Sequence, residues 1–346
     1  ARGVPLLTGL GAEPATFAGD AVLDAHDGVL VLSPTAATRA RYASRIAEAA
    51  DLLRRAQDAL SRPAVTAAGE RIEVMVNVDD PGAVGDEILL ASDGVGLMRT
   101  EFLFIGRDRL PSEDEQFIAY SRILHRLGGK PVVIRTLDVG GDKPLPGVNI
   151  AAESNPFLGL RGIRLCLEKP ELFRPQVRAL LRAGVDTALR VMLPMVATAA
   201  EVDEARQVFA ACLAELQRAG VAAAMPPLGI MVETPAAAIA IDLIEADFYS
   251  IGSNDLTQYV MAAARDGGGR VARLNDPGHP AVMRLIEQVV AHVRSSGKSV
   301  SLCGDMASDP ALVHLLLAAG LRRISVAPAA LGRIKLGIAG LSSADG

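Results

Sequence analysis

The chain has 346 residues, half of them hydrophobic and 22% charged, which excludes the polar, highly charged composition of disordered segments. With 35 basic and 40 acidic side chains the formal charge is −5, which opposes electrostatic attachment to nucleic acid or an anionic membrane and points to small molecules and proteins as partners. The longest apolar runs, such as 191–196 and 226–232, fall far short of the ~20 residues of a membrane span, and three unpaired cysteines at 166, 212 and 303 fit the reducing cytoplasm.

The chain opens on Ala1 without the charged start and long apolar stretch of a signal peptide, so a fragment or processed product is expected. Residues 21–33 carry two short β-like runs around Asp27-Gly28, a hairpin signal. From Thr35 to about Arg62 the apolar residues adopt helical spacing, and Pro63 ends the run. After Gly69 short strand-like runs alternate with helical stretches. The runs are 71–78, 94–98, 131–138, 188–195, 228–233, 247–253, 299–304 and 323–328. Eight strand–helix units over about 270 residues match the size of a (β/α)8 TIM barrel. An open doubly wound sheet is the alternative, and its Gly-rich first turn is missing.

In such a barrel the active site forms at the C-terminal ends of the strands. Those ends carry Asn77, Arg99, Arg135 with Asp138, Met195, Glu233, Asn254 with Asp255, Cys303 and Ser325. Arginine presents a planar fork that fits phosphate and carboxylate oxygens, so Arg99 and Arg135 point to an anionic, phosphorylated substrate, with Arg161 and Arg265 adding charge. Glu233 and Asp255 end adjacent strands, and two carboxylates with substrate oxygens are the hard ligand set of Mg²⁺. Against this stands the plain alternative of two exposed loop carboxylates. Cys303, in SLCGD, is a candidate proton donor, although free cysteines are most often simply buried, the reading adopted for Cys166 and Cys212. None of the five histidines has metal-helix spacing, and the VGGDKPLPG stretch around Lys143 lacks P-loop spacing.

Six segments go further: GVGLMRTEFLF (94–104), VIRTLDVGGDKPLP (133–146), NPFLGLRGIRL (155–165), GIMVETPAA (229–237), FYSIGSNDLTQY (248–259) and SLCGDMASDP (301–310). In this order they resemble the enzyme I family of the bacterial phosphotransferase system, the phosphoenolpyruvate-protein phosphotransferases, in its C-terminal phosphoenolpyruvate-binding part. The resemblance implies a phosphoenolpyruvate-binding (β/α)8 barrel. It places Arg99, Arg135, Asn254 and Arg265 around the phosphate and carboxylate of phosphoenolpyruvate, with Lys143 and Arg161 nearby. Glu233 and Asp255 become ligands of Mg²⁺, with Mn²⁺ as a substitute, and Cys303 the acid that protonates the enolate carbon to give pyruvate.

Two positions depart from the family pattern: Ala264 stands where Asp is common before the matching arginine, and Asp305 where Glu follows the cysteine. The family's phosphate-accepting histidine precedes an Ala-Arg like Ala1-Arg2. Residues 1–34 are therefore expected to be the C-terminal remnant of the phosphohistidine swivelling domain, 35–68 a linker helix and 69–346 the barrel. Such a polypeptide has the substrate site but no acceptor, and is expected to be inactive alone. The parent enzyme implied is a cytoplasmic homodimer that passes phosphate to its histidine and then to HPr. The alternatives are the matching barrel of a pyruvate phosphate dikinase or phosphoenolpyruvate synthase, and a non-catalytic dimerisation module that senses phosphoenolpyruvate.

Overall fold

Continuous Val, Ile and Leu runs bounded by Gly and Pro are what parallel strands buried on both faces require. In the computed structural model of the chain, which describes residues 6–7, 10, 17–25, 27–140, 148, 153–265 and 268–341, each of the eight runs forms a strand. The hairpin signal at Asp27-Gly28 yields β1 (Ala21–Asp24) and β2 (Val29–Leu32), paired antiparallel with Ala21 opposite Leu32. Helix α1 (Ala36–Leu60) follows, its first turn capped by the Thr35 side chain, which accepts from the Thr38 N–H at 3.2 Å. A two-residue strand β3 (Ala64–Val65), not anticipated from the sequence, then pairs antiparallel with the start of β4.

The barrel strands are β4 (Arg71–Val78), β5 (Val95–Met98), β6 (Val132–Arg135), β7 (Leu189–Leu193), β8 (Leu228–Val232), β9 (Phe248–Gly252), β10 (Ser299–Cys303) and β11 (Arg323–Val326). All neighbours are parallel, and β11 returns to pair with β4, Arg323 opposite Glu73 and Val326 opposite Val76. That pairing closes the sheet into an eight-stranded (β/α)8 barrel and excludes the open doubly wound alternative.

The outer ring consists of α2 (Asp86–Ala91), α3 (Glu113–Arg126), α4 (Ile163–Glu168), α5 (Pro170–Ala183), α6 (Ala199–Arg218), α7 (Pro235–Ile239), α8 (Ser253–Met261), α9 (Pro280–Ser295), α10 (Pro310–Ala318) and α11 (Leu331–Ala339). Capping boxes start α3, through Ser112 and Glu115, and α6, through Thr198 and Glu201. Period-two alternation then sorts the strand residues. Val132 and Ile134 of β6 join the large apolar layer between sheet and helices, whereas Val133 packs inside the barrel with Leu97, Met192, Met231, Phe248 and Cys303.

Helix α1 is mostly exposed, with only Tyr42 and Ala56 buried. Its last turns dock on the barrel through the Lys335 ammonium, which donates to the carbonyl oxygens of Leu60 (3.0 Å), Arg62 (2.9 Å) and Ala91 (2.6 Å).

Candidate active site

The apolar floor inside the barrel leaves a cavity of about 520 Å³ at the C-terminal ends of the strands. Arg99, Arg135, Arg161, Glu233, Asn254, Asp255, Arg265 and Cys303 all line it. Asn77 and Ser325 do not: their side chains bond each other at 2.7 Å. Lys143 lies outside the described residues.

Arg135 is the last residue of β6 and turns inward, two positions beyond Val133. Its guanidinium lies 2.8 Å from Asp138 Oδ2 and donates to Glu101 Oε1 at 3.1 Å. Glu101 Oε1 also accepts the Asp138 N–H at 2.8 Å. Arg161 in turn grips Asp138 with Nε (2.9 Å) and a terminal nitrogen (3.0 Å), and grips Asp255 at 3.1 and 3.3 Å. The result is an alternating ladder, Glu101, Arg135, Asp138, Arg161, Asp255, which crosses from the end of β5 to the first turn of α8. Burial alone would lower the pKa of both arginines, but the carboxylates beside them outweigh it and hold both above the ordinary value. Both stay cationic under all ordinary conditions.

Glu233 follows β8 and is 1% exposed. Its Oε1 accepts the Met195 N–H at 2.7 Å, a direction set by the left-handed backbone of Met195 (φ 58°), unusual for a long side chain. Burial first, then the nearby charges of Asp255 and Asp138, push the Glu233 carboxyl up to about 8. Gly252, the last residue of β9, makes room for it: a Cβ there would stand 2.8 Å from Glu233 Oε2.

Cys303 ends β10, and only 2% of it is exposed. Ser250 Oγ donates to its sulfur at 3.7 Å, and the thiol faces the Ile251 carbonyl at the same distance. Burial raises its pKa, so the group exists as a thiol at neutral pH and can act as a proton donor. Cys166 and Cys212 are buried away from the cavity.

At the rim, Asp305 organises two of the expected ligands. Its Oδ2 accepts from Asn254 Nδ2 (3.2 Å) and from Arg265 (3.0 Å), while its own N–H donates to Asn254 Oδ1 (2.9 Å). The shorter acid at this position therefore still reaches both partners. Ala264 is exposed beside Arg265.

Asp79, Glu101 and Tyr259 are missing from the sequence-based set. Asp79 pairs with Arg99, and the Tyr259 hydroxyl accepts from Arg161 at 3.2 Å and donates to the Phe157 carbonyl at 2.5 Å. Asp79 and Glu101 each lie two residues beyond a strand-end candidate, Asn77 and Arg99, and that spacing was the available signal.

Among the described lining residues four arginines face six carboxylates, a surplus of two negative charges when Glu233 is ionised. A multiply charged anion entering such a cavity requires a compensating cation. No group of three or more His, Cys, Asp or Glu suited to a metal occurs among the described residues. Glu233 and Asp255 instead offer two carboxylates, which fits Mg²⁺, an ion that keeps several waters and takes remaining ligands from substrate oxygens. Burial raises the Glu233 carboxyl most, and the negative charges of Asp255 and Asp138 add to it; a divalent ion would offset that second contribution.

Residues 54–343 match the family described as PEP-utilising enzyme, PEP-binding domain. Among curated proteins, the phosphoenolpyruvate-protein phosphotransferase of Geobacillus stearothermophilus is 47% identical over 89% of this chain and 54% of that protein. Those of Priestia megaterium (42% identical, 94% of this chain, 57% of that protein) and Haloferax volcanii (42%, 99%, 60%) are similarly related. The chain spans a little over half the length of these relatives. Among solved structures a citrate lyase from Burkholderia xenovorans LB400 aligns over 80% of each chain at 19% identity with a TM-score of 0.48. By the family match over most of its length, the chain belongs to the PEP-binding domains of the PEP-utilising enzymes.

Proposed function

We propose that the chain binds phosphoenolpyruvate at the barrel mouth together with Mg²⁺ or Mn²⁺, as the substrate-binding part of a phosphoenolpyruvate-protein phosphotransferase of the enzyme I type. The observation that carries this reading is the cavity in which Arg99, Arg135, Arg161 and Arg265 converge beside the two carboxylates Glu233 and Asp255. The relatives, all phosphotransferases of that name, supply the substrate class.

In this reading Arg99 and Arg135 bind the phosphate and carboxylate oxygens, helped by Asn254, Arg265, Arg161 and Lys143. Glu233 and Asp255 hold the cation, which when bound neutralises charge on the phosphoryl and enol oxygens. The buried arginines are already oriented by their carboxylates, so little reorganisation accompanies phosphoryl transfer.

As the P–O bond breaks and the phosphoryl group passes to a histidine nitrogen of a separate domain, the electron pair left on the enol oxygen forms the carbonyl. The former C=C pair then takes the Cys303 thiol proton onto the methylene carbon. Pyruvate leaves, and the thiolate recovers a proton from water. The histidine hands its phosphoryl group to HPr. We place the parent protein in the cytoplasm as a homodimer.

Calorimetry of phosphoenolpyruvate binding to this chain, with Mn²⁺ and with chelator, is the test. Binding is expected only with the ion, and the ion's effect is expected to vanish in Glu233→Ala. Equal affinity in both conditions would overturn the metal assignment, and no binding at all would overturn the function.

A further inference from the structure

One buried amide joins the two strand ends that carry Arg99 and Arg135. Gln176 lies on α5, in the layer outside the barrel, fully buried and not part of the cavity lining. Its Oε1 accepts the Leu137 N–H at 2.9 Å, and its Nε2 donates to Thr100 Oγ1 at 3.2 Å and to the Tyr120 hydroxyl at 3.1 Å. Thr100 donates onward to the carbonyl oxygen of Arg135 at 3.1 Å, and Tyr120 to Gln116 Oε1 at 3.0 Å. Thr100 sits between Arg99 and Glu101, and Leu137 immediately precedes Asp138. The amide therefore bonds the Leu137 backbone of one segment and the Thr100 side chain of the other, and Thr100 completes the link to the Arg135 carbonyl, joining the two segments whose side chains form the arginine face of the cavity.

The backbone ladder does not do this by itself. Between β5 and β6 the register shifts between the pairs Val95–Val132 and Met98–Ile134, so the pairing is irregular just before Arg99. Beyond it, Arg99 bonds back to Val78 and Thr136 bonds across to Met192, each toward its other neighbour. The pairing of β5 with β6 is thus irregular at its end, and Thr100, Glu101 and Gln176 add side-chain links between the two segments.

We propose that Gln176 is a positioning residue for phosphoenolpyruvate, setting from behind the spacing between the Arg99–Glu101 and Arg135–Asp138 segments. The proposal rests on the functional reading above. In a dry layer any shift of either segment leaves an N–H or hydroxyl without a partner, which penalises the displaced arrangements.

The test measures phosphoenolpyruvate affinity with Mn²⁺, Mn²⁺ affinity alone and melting temperature for the wild-type chain, Gln176→Met, Thr100→Val and Tyr120→Phe. Gln176→Met keeps the volume but removes the bonds to Leu137 and Thr100, leaving only the Thr100–Arg135 bond, so phosphoenolpyruvate affinity is expected to fall by roughly tenfold or more. Mn²⁺ affinity should hold, because Glu233 follows β8 and Asp255 lies in the first turn of α8. Thr100→Val removes the Gln176 contact and also the direct bond to the Arg135 carbonyl, so affinity should fall at least as far. Tyr120→Phe removes a bond of the same amide that does not lead to a strand end, so it should lower the melting temperature while leaving phosphoenolpyruvate affinity unchanged.

Wild-type affinity in folded Gln176→Met overturns the proposal, as does an equal loss in Tyr120→Phe, which would mark a general packing effect. If Gln176→Met does not fold, wild-type affinity in Thr100→Val overturns it instead. Failure of the wild-type chain to bind phosphoenolpyruvate removes the functional reading and this proposal with it, an outcome distinct from the other two.

Discussion

At the N-terminal end of the barrel Arg323 holds Glu73 with two nitrogens, at 2.7 and 2.9 Å, and Arg190 lies 4.1 Å over the Phe248 ring while donating to Ser299 at 3.1 Å. At the C-terminal end Arg135 and Arg161 share carboxylates around an open cavity. The two layers stand on the same strands: Arg190 lies two residues before Met192, and Arg323 two before Ser325. At the bottom Arg323 is held by one carboxylate, while Arg190 rests on a ring and a hydroxyl in a closed, packed layer. At the top carboxylates outnumber arginines and space remains, so the charge pattern is complete only with a ligand. An inward arginine is therefore structural or functional according to whether it borders a closed layer or an open cavity.

The largest effect that would sharpen this contrast is expected at Cys303. In a phosphotransferase that carries both this barrel and its acceptor domain, Cys303→Ala should reduce pyruvate formation by about 10²–10⁴-fold, the range for a lost general acid, with phosphoenolpyruvate affinity nearly unchanged. Ser299→Ala, at the other end of β10, should alter neither. A normal rate per folded molecule with a reduced melting temperature would return Cys303 to the packed interior.

A matched pair of arginines comes next. Arg135→Met should weaken phosphoenolpyruvate binding by about 100-fold, the loss of charge-assisted hydrogen bonds worth roughly 1.5–3 kcal/mol each. It should also destabilise the chain by about 3 kcal/mol, because the largely buried Glu101 loses its cation and the buried Asp138 loses one of its cations. Arg323→Met, whose Glu73 partner is over a third exposed, should cost about 1 kcal/mol or less and leave the affinity intact. Denaturant titration beside calorimetry gives both quantities, and similar affinity losses in the two variants would break the comparison.

The pH response follows from Glu233. Its carboxyl is raised in the folded chain, so the folded state holds a proton that the unfolded state has released between about 4.5 and about 8. The stability it contributes is fully present below the unfolded value and is lost as pH rises through the folded one. Melting temperature without cation should accordingly fall across that window, and Glu233→Gln should flatten the fall. Saturating Mn²⁺, which binds the ionised form, should oppose it. An identical slope in Glu233→Gln would refute this origin.

The smallest effect is expected at Tyr259, whose hydroxyl joins Arg161 to the Phe157 carbonyl. Tyr259→Phe should lower phosphoenolpyruvate affinity only a few-fold, in keeping with one hydrogen bond of about 1 kcal/mol. A loss as large as that of Arg135→Met would mean that the rim, and not the buried ladder, controls binding.

The sequence by itself determined the eight strands and most of the cavity's arginines and acids. Parallel strands buried on both faces read as unbroken apolar runs, and the charged residues at their C-terminal ends, Arg99, Arg135 and Glu233, fall at the mouth because side-chain direction alternates locally. It also determined the limits of α1 to within two residues, through Thr35 and Pro63. Only the tertiary structure decided which acid serves which base. Glu101 meets Arg135 across 34 residues and Arg161 meets Asp255 across 94, while Gln176 reaches Thr100 from a helix 76 residues away. Asp305, a departure from the expected Glu in the sequence, proves able to hold Asn254 and Arg265. The physical reason is range. Propensity and alternation act between near neighbours along the chain, whereas the balance of buried charge depends on distances that exist only after β11 has closed on β4.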